Sequence, residues 1–337
     1  MKRKLQAALL ALCVIAGSGI NVAAEDMAED AKVGISVYQF EDDFMTVYRT
    51  ELVRYMTEEL GFSEENIWVE NAENNRELQE KQIAEFIDRQ ADVMILNLVQ
   101  PSGAPEITDL CSEAGIPVVY INRQPYESEC RRWETEELMA SYVGADARQS
   151  GIYQGEEIAE TESGGDINGD GTVSYIMIQG DPRNMDAQYR SAYSVKALEE
   201  AGLKTKELLA EDGGWNREQG RKIAAKALKQ YGDQIEVVFC NNDAMALGAL
   251  EAIQDAGRVV GKDILISGVD ALLEAVEKVE DGHITGTVFN DYFSQSHSAA
   301  WTALNYLKGE PAETVTLVDY IKVTSDNAED ILQKISK

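Results

Sequence analysis

The sequence predicts an α/β protein made of two successive doubly wound parallel sheets of the Rossmann-like type. The chain of 337 residues is longer than a single core usually supports. Short runs rich in valine and isoleucine alternate along it with amphipathic helical segments. Parallel strands need crossover helices and are buried on both faces, so this alternation favours parallel sheets covered by helices.

The first series of elements ends at the segment SYVGAD, residues 141–146. Its predicted strands are VGISVYQF from residue 33, IWVENA from 67, VMILNLV from 93 and PVVYIN from 117. Its predicted helices span 44–59, 75–89 and 103–114.

The second series repeats the pattern. Its predicted strands are VSYIMIQG from residue 173, KTKELLA from 204, EVVFCN from 236, ILISGV from 264 and ITGTVFN from 284. Its predicted helices span 184–201, 216–231, 243–256, 271–281 and 291–308. Two sheets of similar construction therefore follow one another.

Residues 1–24 are predicted to be an export signal. The basic start MKRK precedes the apolar run LQAALLALCVIAG, which is too short to span a bilayer, and Val22 and Ala24 suit signal peptidase. Cys13 leaves a lipid anchor as the alternative, although Leu12 before it is larger than a lipobox prefers. The predicted location is the periplasm, the cell surface or the extracellular space.

Composition excludes two partner classes. With 30 Lys and Arg against 60 Asp and Glu, the net charge is −30, which repels nucleic acid and anionic membranes. Beyond the signal, Cys111, Cys130 and Cys240 are an odd number, so a fully paired disulfide framework is excluded. A Cys111–Cys130 bridge stays open.

Polar side chains follow most predicted strands. In open parallel sheets, ligands bind beyond the carboxyl ends of the strands. The residues at these positions are Asp42, Asp43, Phe44, Asn97, Asn122, Arg123, Asp181, Arg183, Asn184, Asp186, Asn241, Asn242, Asp243, Asp270, Asn290 and Asp291. A single Asn there is commonly a turn residue or a helix cap, but the repetition in both halves indicates a shared site.

Several enzyme classes lack their motifs. The chain has no Walker loop, no GxGxxG after a strand, no CxxC and no HExxH. His283 and His297 lie in polar contexts that predict surface positions. Paired carboxylates such as Asp42 and Asp270 leave an exported glycoside-processing enzyme as an alternative.

The polar set suits a polyhydroxylated ligand. Carboxylates accept hydrogen bonds, guanidinium groups donate them and amides do both, which matches the hydroxyl groups of a sugar. Flat aromatic rings pack on the C–H faces of sugars, and Phe44 and Trp215 are placed to do so.

The string DINGDGTVS, residues 166–174, has the spacing of a calcium loop. Asp166, Asn168 and Asp170 occupy positions 1, 3 and 5, Gly171 supplies the turn at position 6, and Thr172 and Ser174 occupy 7 and 9. Position 12 is Met177, which is not a calcium ligand. The loop therefore needs a carboxylate from elsewhere.

The chain resembles the periplasmic galactose/glucose-binding proteins, the substrate receptors of sugar ABC transporters. The resemblance runs from VGISVYQFEDDFM through ILNLVQP, DINGDG, DPRNMDAQYR, EVVFCNNDAMALGA and SGVDALLEA to GTVFND. It implies that the sugar hydroxyls and ring oxygen bind Asp42, Asn97, Asp186, Arg190, Asn242, Asp270 and Asn290, with the ring between Phe44 and Trp215. Asn184 stands where the family has a histidine, which changes one contact.

The resemblance also completes the calcium shell. It implies that Glu236, which opens EVVFC, supplies the bidentate carboxylate, with Asp166, Asn168, Asp170 and the Thr172 carbonyl as the other main ligands and Ser174 at the ninth position. Calcium would then be a structural cofactor that ties a loop to the second domain.

The resemblance further implies a type I periplasmic binding protein with three hinge crossings, near 142–145, 289–291 and 318–321. The expected lobes are 31–142 with 291–319, and 143–290 with 320–337. The expected function is capture of galactose or glucose for a membrane ABC permease by a monomer, with a chemoreceptor as a second partner. Ribose or xylose is the alternative ligand. A ligand-responsive repressor would need a basic DNA-binding segment, which the sequence lacks.

Overall fold

The computed structural model describes residues 27–336. The predicted export signal and the alternative anchor at Cys13 lie outside the described residues. Across 27–336, no helix combines the length and apolarity needed to cross a membrane.

Twelve strands and eleven α-helices occur in the described part of the chain. The strands are β1 (Val33–Val37), β2 (Ile67–Asn71), β3 (Val93–Leu96), β4 (Val118–Ile121), β5 (Ala140–Gly144), β6 (Val173–Gln179), β7 (Thr205–Asp212), β8 (Val237–Cys240), β9 (Leu265–Ser267), β10 (Thr287–Phe289), β11 (Val315–Leu317) and β12 (Ile321–Val323). The helices are α1 (Asp43–Glu58), α2 (Arg76–Asp88), α3 (Ala104–Ala114), α4 (Glu127–Glu136), α5 (Ala147–Ala159), α6 (Met185–Glu200), α7 (Arg217–Tyr231), α8 (Asp243–Asp255), α9 (Leu273–Glu280), α10 (Tyr292–Lys308) and α11 (Ala328–Ile335).

The first sheet has six strands in the order β11-β5-β4-β3-β1-β2, and all neighbours are parallel. Helix α10 packs beside α1 on this sheet. We call this unit the first lobe. The fully buried strands β1, β3, β4 and β5 explain the continuous apolar runs in the sequence.

The second sheet has four parallel strands in the order β7-β6-β8-β9. Parallel bridges extend it from β9 to the β10 segment, which pairs with β12 in an antiparallel ribbon. Helix α11 packs against α9 on this side, so the chain ends within the same unit. We call it the second lobe. As the sequence predicted, the molecule has two parallel-sheet α/β units.

The chain passes between the lobes three times: after β5, after β10 and after β11. The crossing after β10 is braced from the second lobe. Asp291 caps α10 by accepting a hydrogen bond from the Ser294 amide (3.1 Å), and Lys334 of α11 lies 2.7 Å from its carboxylate. A side chain of the last helix therefore contacts the start of a first-lobe helix.

Helices α4 and α5 were not predicted, and their composition explains why. Along α4 only Glu129, Cys130 and Trp133 are buried, so the apolar period is weak. Helix α5 packs against α6 through glycines: a Cβ on Gly151 would lie 2.8 Å from a backbone oxygen, and one on Gly155 would lie 2.4 Å from another. Close packing of small residues leaves no hydrophobic stripe to detect.

The three cysteines of the described chain, Cys111, Cys130 and Cys240, are buried free thiols. Cys111 and Cys130 both lie in the first lobe's core. His283 is exposed as predicted, whereas His297 is partly buried, 2.6 Å from Glu51 and stacked on the Tyr55 ring.

Candidate functional site

A cavity lies between the two lobes, at the carboxyl ends of their strands. The residues that line it come from both lobes. They are Tyr38, Asp42, Asn122, Arg123, Asn184, Asp186, Arg190, Trp215, Asn242 and Asp270. Seven of these ten positions belong to the predicted sugar site, and the other three are Tyr38, Asn122 and Arg123.

Asp42 forms part of the first lobe's wall and is fixed by its role as a helix cap. Its Oδ1 accepts a hydrogen bond from the Met45 amide (2.7 Å) at the start of α1. Its Oδ2 accepts one from the Tyr38 hydroxyl (2.5 Å). The carboxylate is therefore held at the rim by two donors, and Tyr38 is its positioning partner.

Asn122 lines the cavity where the resemblance pointed to Asn97. Asn122 follows β4 with a positive φ of 59°, a conformation that asparagine tolerates better than most residues. Asn97 is fully buried behind it and donates to the Asn122 side-chain oxygen (3.1 Å) and to the Ile121 carbonyl (3.2 Å). Asn97 thus supports the lining residue and does not line the cavity itself.

Arg123 is a second lining residue that the predicted site omitted. Its guanidinium lies 3.5 Å from the centre of the Tyr38 ring, and Nη1 donates to the carbonyl oxygens of Leu98 (3.3 Å) and Val99 (2.7 Å). The rule that ligands bind beyond strand ends includes both Asn122 and Arg123, so the signal for them was present in the sequence.

The second lobe's wall begins with helix α6. Asn184 caps this helix, its Oδ1 accepting the Asp186 amide (2.8 Å), so its side-chain NH₂ group and the second lone pair of Oδ1 stay available to a ligand. One turn further along, Arg190 donates to the Asn241 carbonyl (2.6 Å) and to the Tyr320 hydroxyl (3.2 Å). Its guanidinium also lies 3.7 Å from Asp270.

Asp270 has a strained backbone, with a φ of 116°, which turns it into the cavity. Asn290, predicted as a sugar ligand, does not line the cavity. It donates to Asp270 (3.3 Å) and accepts from Gln295 (2.6 Å), so its amide is satisfied inside the protein. In this structure Asn290 positions Asp270.

Burial dominates the titration of these carboxyls. It raises the pKa of Asp186 against the lowering effect of Arg190 and Arg123. It also raises the pKa of Asp270 well above the ordinary value, again opposed by Arg190. Both carboxyls lie in an enclosed site where added hydrogen-bond donors would stabilise their charged forms.

The two predicted aromatic residues have different surroundings. Trp215 lines the cavity with a φ of 63° and stands directly on Gly180, where a Cβ would lie 2.1 Å from its ring. Asn242 donates to the Trp215 carbonyl (3.2 Å) and caps α8. Phe44 is instead 5% exposed within the first lobe's core. The sandwich of a ring between Phe44 and Trp215 stays a prediction.

The predicted calcium loop is closed by hydrogen bonds around Glu236. This carboxylate is 1% exposed and accepts the backbone amides of Asn168 (2.9 Å) and Ser174 (2.8 Å). Asp166 accepts from the amides of Asp170 (3.1 Å) and Gly171 (2.9 Å). Glu236, distant in sequence, therefore contacts the loop, and its role as a calcium ligand stays a prediction.

The donor set suits a hard cation. Asp166, Asn168, Asp170, the Thr172 carbonyl and Glu236 are all oxygen donors, which calcium prefers. Within residues 27–336, no group of three or more His, Cys, Asp or Glu side chains lies close enough to hold a metal by itself. The three acids of the predicted shell, Asp166, Asp170 and Glu236, are thus not gathered closely enough in this structure to form such a group, and calcium binding at the loop stays a prediction.

Comparison with known proteins gives a consistent result. Residues 33–311 match the family described as a periplasmic binding protein domain. The D-galactose/methyl-galactoside binding periplasmic protein of Haemophilus influenzae is 30% identical, and the match covers 99% of this chain and 100% of that protein. The ribose import binding protein of Escherichia coli is 24% identical, covering 89% of this chain and 92% of that one.

Solved structures share the architecture. An ABC transporter solute binding protein from Bacillus halodurans with bound myo-inositol has a TM-score of 0.78 and 26% identity, covering 91% of this chain and 99% of that one. A galactofuranose binding protein has a TM-score of 0.79 at 22% identity, covering 91% and 98%, which supports the fold alone.

Proposed function

This chain belongs to the periplasmic binding protein domain family, and on that premise we propose that it captures D-galactose or D-glucose between its lobes and delivers the sugar to the permease of an ABC transporter. Like the relatives that it matches, it is a binding protein and not an enzyme. The expected location is outside the cytoplasm.

One observation carries the proposal: the cavity between the lobes combines acids, amides and arginines with one exposed aromatic face. Asp186, Asp270 and Asn242 offer acceptors, Arg190 offers donors, and Trp215 offers a flat surface. Sugars present alternating hydroxyl groups and C–H faces, so this lining matches a monosaccharide in kind. A hexose is favoured over a pentose by the full-length similarity to the galactose-binding relative.

The residues that line the cavity come from two lobes linked by three crossings, which supports a hinge mechanism. A sugar that touches Asp42 and Asn122 on one side and Asp186 and Arg190 on the other gains all its contacts only when the lobes are closed. The closed form would then present the surface that a permease recognises.

Isothermal titration calorimetry with galactose, glucose, ribose, xylose and myo-inositol tests the proposal. We expect galactose or glucose to bind most tightly, and we expect Asp186→Ala and Asn122→Ala each to weaken binding by about 100-fold, because each leaves ligand hydroxyls without a charged or amide partner. The matched control Asp109→Ala changes an exposed carboxylate outside the cavity and should leave affinity unchanged.

The outcome that would overturn the assignment is tight binding of a sugar that neither cavity variant weakens. If ribose or xylose bound most tightly, the assigned binding site would stand, but the proposed sugar would be wrong.

We also propose that the 166–174 loop holds a structural calcium ion. The support is the loop's oxygen spacing together with buried Glu236, whose two oxygens already face the loop backbone. Asp166, Asn168, Asp170, Thr172 and Glu236 would hold the ion, with Ser174 nearby. Its contribution would be to tie the loop before β6 to the start of β8.

A further inference from the structure

A strained turn directly after β9 carries Asp270 into the cavity. The turn spans residues 268–272, and Asp270 (φ of 116°) and Ala271 (φ of 52°) both have positive φ values although neither is glycine. Such a backbone persists only where surrounding contacts hold it. The position of this cavity-lining carboxylate therefore depends on the residues that hold the turn.

Asp243, the first residue of α8, holds the turn from behind. Its amide donates to the Val269 carbonyl (2.7 Å), and its Oδ2 accepts from the Leu272 amide (2.8 Å). These two hydrogen bonds fasten the residues on either side of the two strained positions. Asp243 is 0% exposed and does not line the cavity, so it acts on a ligand only through the turn.

The other oxygen of the Asp243 carboxylate links the turn to β10. Oδ1 accepts from the Thr287 hydroxyl (2.6 Å), and the oxygen of that hydroxyl accepts from the Ala271 amide (3.4 Å). Gly268 packs against the same carboxylate, since a Cβ there would lie 2.2 Å from Oδ1. Asp243 therefore contacts the turn at both ends, and through Thr287 at its middle.

We propose that Asp243 is a positioning residue for sugar binding, which holds the Asp270 carboxylate in the cavity. Without Asp243, the Leu272 amide and the Thr287 hydroxyl would be buried donors that lack an acceptor, and the strained turn would relax. This inference rests on the proposed function. It means that a buried residue without ligand contact governs sugar affinity through one carboxylate of the site.

Asparagine, alanine and a displaced carboxylate separate this role from others. In Asp243→Asn the amide oxygen can accept from Leu272 and the NH₂ group can donate to the Thr287 hydroxyl oxygen, so the turn is kept. Asp243→Ala removes both contacts. Gly268→Ala leaves the carboxylate in the chain but pushes Oδ1 away, because the new methyl group would overlap it.

Calorimetry with galactose and glucose measures the effect on affinity. We expect Asp243→Ala and Gly268→Ala each to lose about 10- to 100-fold in affinity for the sugar that binds more tightly, and Asp243→Asn to stay within about threefold of the wild type. The matched control Asp255→Ala removes an exposed carboxylate at the other end of α8 and should leave affinity unchanged.

Double variants test whether the loss acts through Asp270. Added to Asp270→Ala, Asp243→Ala should weaken binding by a further threefold at most, to about that precision, because the carboxylate that it positions is already absent. Added to Asp186→Ala, it should keep its full effect, because Asp186 lies on α6 in another part of the wall. Circular dichroism checks that each variant is folded, and Gly268→Ala and Thr287→Val replace Asp243→Ala in both pairs if that variant does not fold.

Two results would overturn the positioning role. One is an equal loss in the Asp270→Ala and Asp186→Ala backgrounds, which would indicate a general effect on the fold. The other is wild-type affinity in both Asp243→Ala and Gly268→Ala. Either result leaves the proposed function standing, whereas a wild-type chain that binds no sugar would overturn the proposed function and this inference with it.

Discussion

At the level of single residues, the cavity is shaped by side chains that are held by their own backbone. Asp42, Asn184 and Asn242 each cap a helix while lining the cavity. The cap uses one acceptor of each side chain and leaves the other polar atoms for a ligand or a neighbour. Helix formation and ligand binding therefore constrain the same three positions.

Gly180 is predicted to govern the position of Trp215. In Gly180→Ala the new methyl group would overlap the ring, with 2.1 Å to the nearest ring atom, so the ring must move. We expect sugar affinity to fall by about tenfold or more. Calorimetry measures the loss. Gly103→Ala is the matched control, because Gly103 lies outside the cavity lining and a Cβ there would be 3.7 Å from its nearest atoms. Equal affinity of Gly180→Ala and the wild type would contradict the role of Gly180.

Asp243 is predicted to make stability depend on pH. Its buried carboxyl accepts from the Thr287 hydroxyl (2.6 Å) and the Leu272 amide (2.8 Å), and burial raises its pKa to about 7. An unfolded aspartate titrates near about 3.9. Between these values the folded state holds the proton more tightly, so the contribution is present at low pH, falls as pH rises from about 4 to about 7, and changes no further above that.

Urea unfolding at a series of pH values measures this contribution. We expect Asp243→Asn to flatten the decline in the free energy of unfolding between pH 4 and 7 by up to about 1 kcal/mol per pH unit. A decline remains, because burial also raises the pKa of Asp270 and Glu157 nearby. An unchanged slope in the variant would exclude Asp243 as its source, and Asp109→Asn serves as the exposed control.

At the level of elements, the loop over 166–174 and strand β8 form one unit. Glu236 precedes β8 and accepts two loop amides, although about 65 residues separate them in sequence. A bound ion would add to a connection that hydrogen bonds already make.

Removal of calcium should therefore lower the melting temperature without unfolding the chain at room temperature. We expect a chelator to lower it by about 3 °C or more, and excess calcium to restore it, because an ion bound only by the folded state stabilises that state. In Glu236→Gln the difference between chelator and calcium should largely disappear, whereas exposed Glu277→Gln should keep it. A chelator without effect on the wild type would exclude the ion.

At the scale of the whole molecule, two lobes enclose the cavity and three crossings connect them. Both lobes contribute charged groups, and Tyr320, just after the third crossing, accepts a hydrogen bond from Arg190. The third crossing thus contacts a residue that lines the cavity, and this contact offers a way for hinge geometry to affect the site.

Saturating sugar should make the molecule more compact and more stable. Small-angle X-ray scattering is expected to show a smaller radius of gyration with the bound hexose, because contacts from both lobes favour closure. At about 100 times Kd, binding adds about 2.7 kcal/mol, which raises the melting temperature by several degrees. Asp186→Ala at the same sugar concentration should show neither change. If that variant still became more compact, closure would not depend on sugar binding at this cavity.

Periodicity and strand-end chemistry were enough to predict most of the architecture and the ligand class. Buried parallel strands leave uninterrupted apolar runs, and polar residues directly after them must gather at one edge of each sheet. The calcium-loop spacing was also visible in the sequence, because its oxygen-bearing residues alternate within a few positions, and calcium binding there stays a prediction.

Only the tertiary structure decided which of several neighbouring side chains reach the cavity. Asn122, with its left-handed backbone, lines the site while Asn97 lies behind it, and Phe44 is buried in the first lobe while Trp215 lines the cavity. The packing of α5 through its glycines was not predicted either, because small residues leave no hydrophobic stripe in the sequence. Local sequence sets where strands and helices form, but the direction of a side chain at a strand end depends on backbone torsions and on contacts from residues distant in the chain.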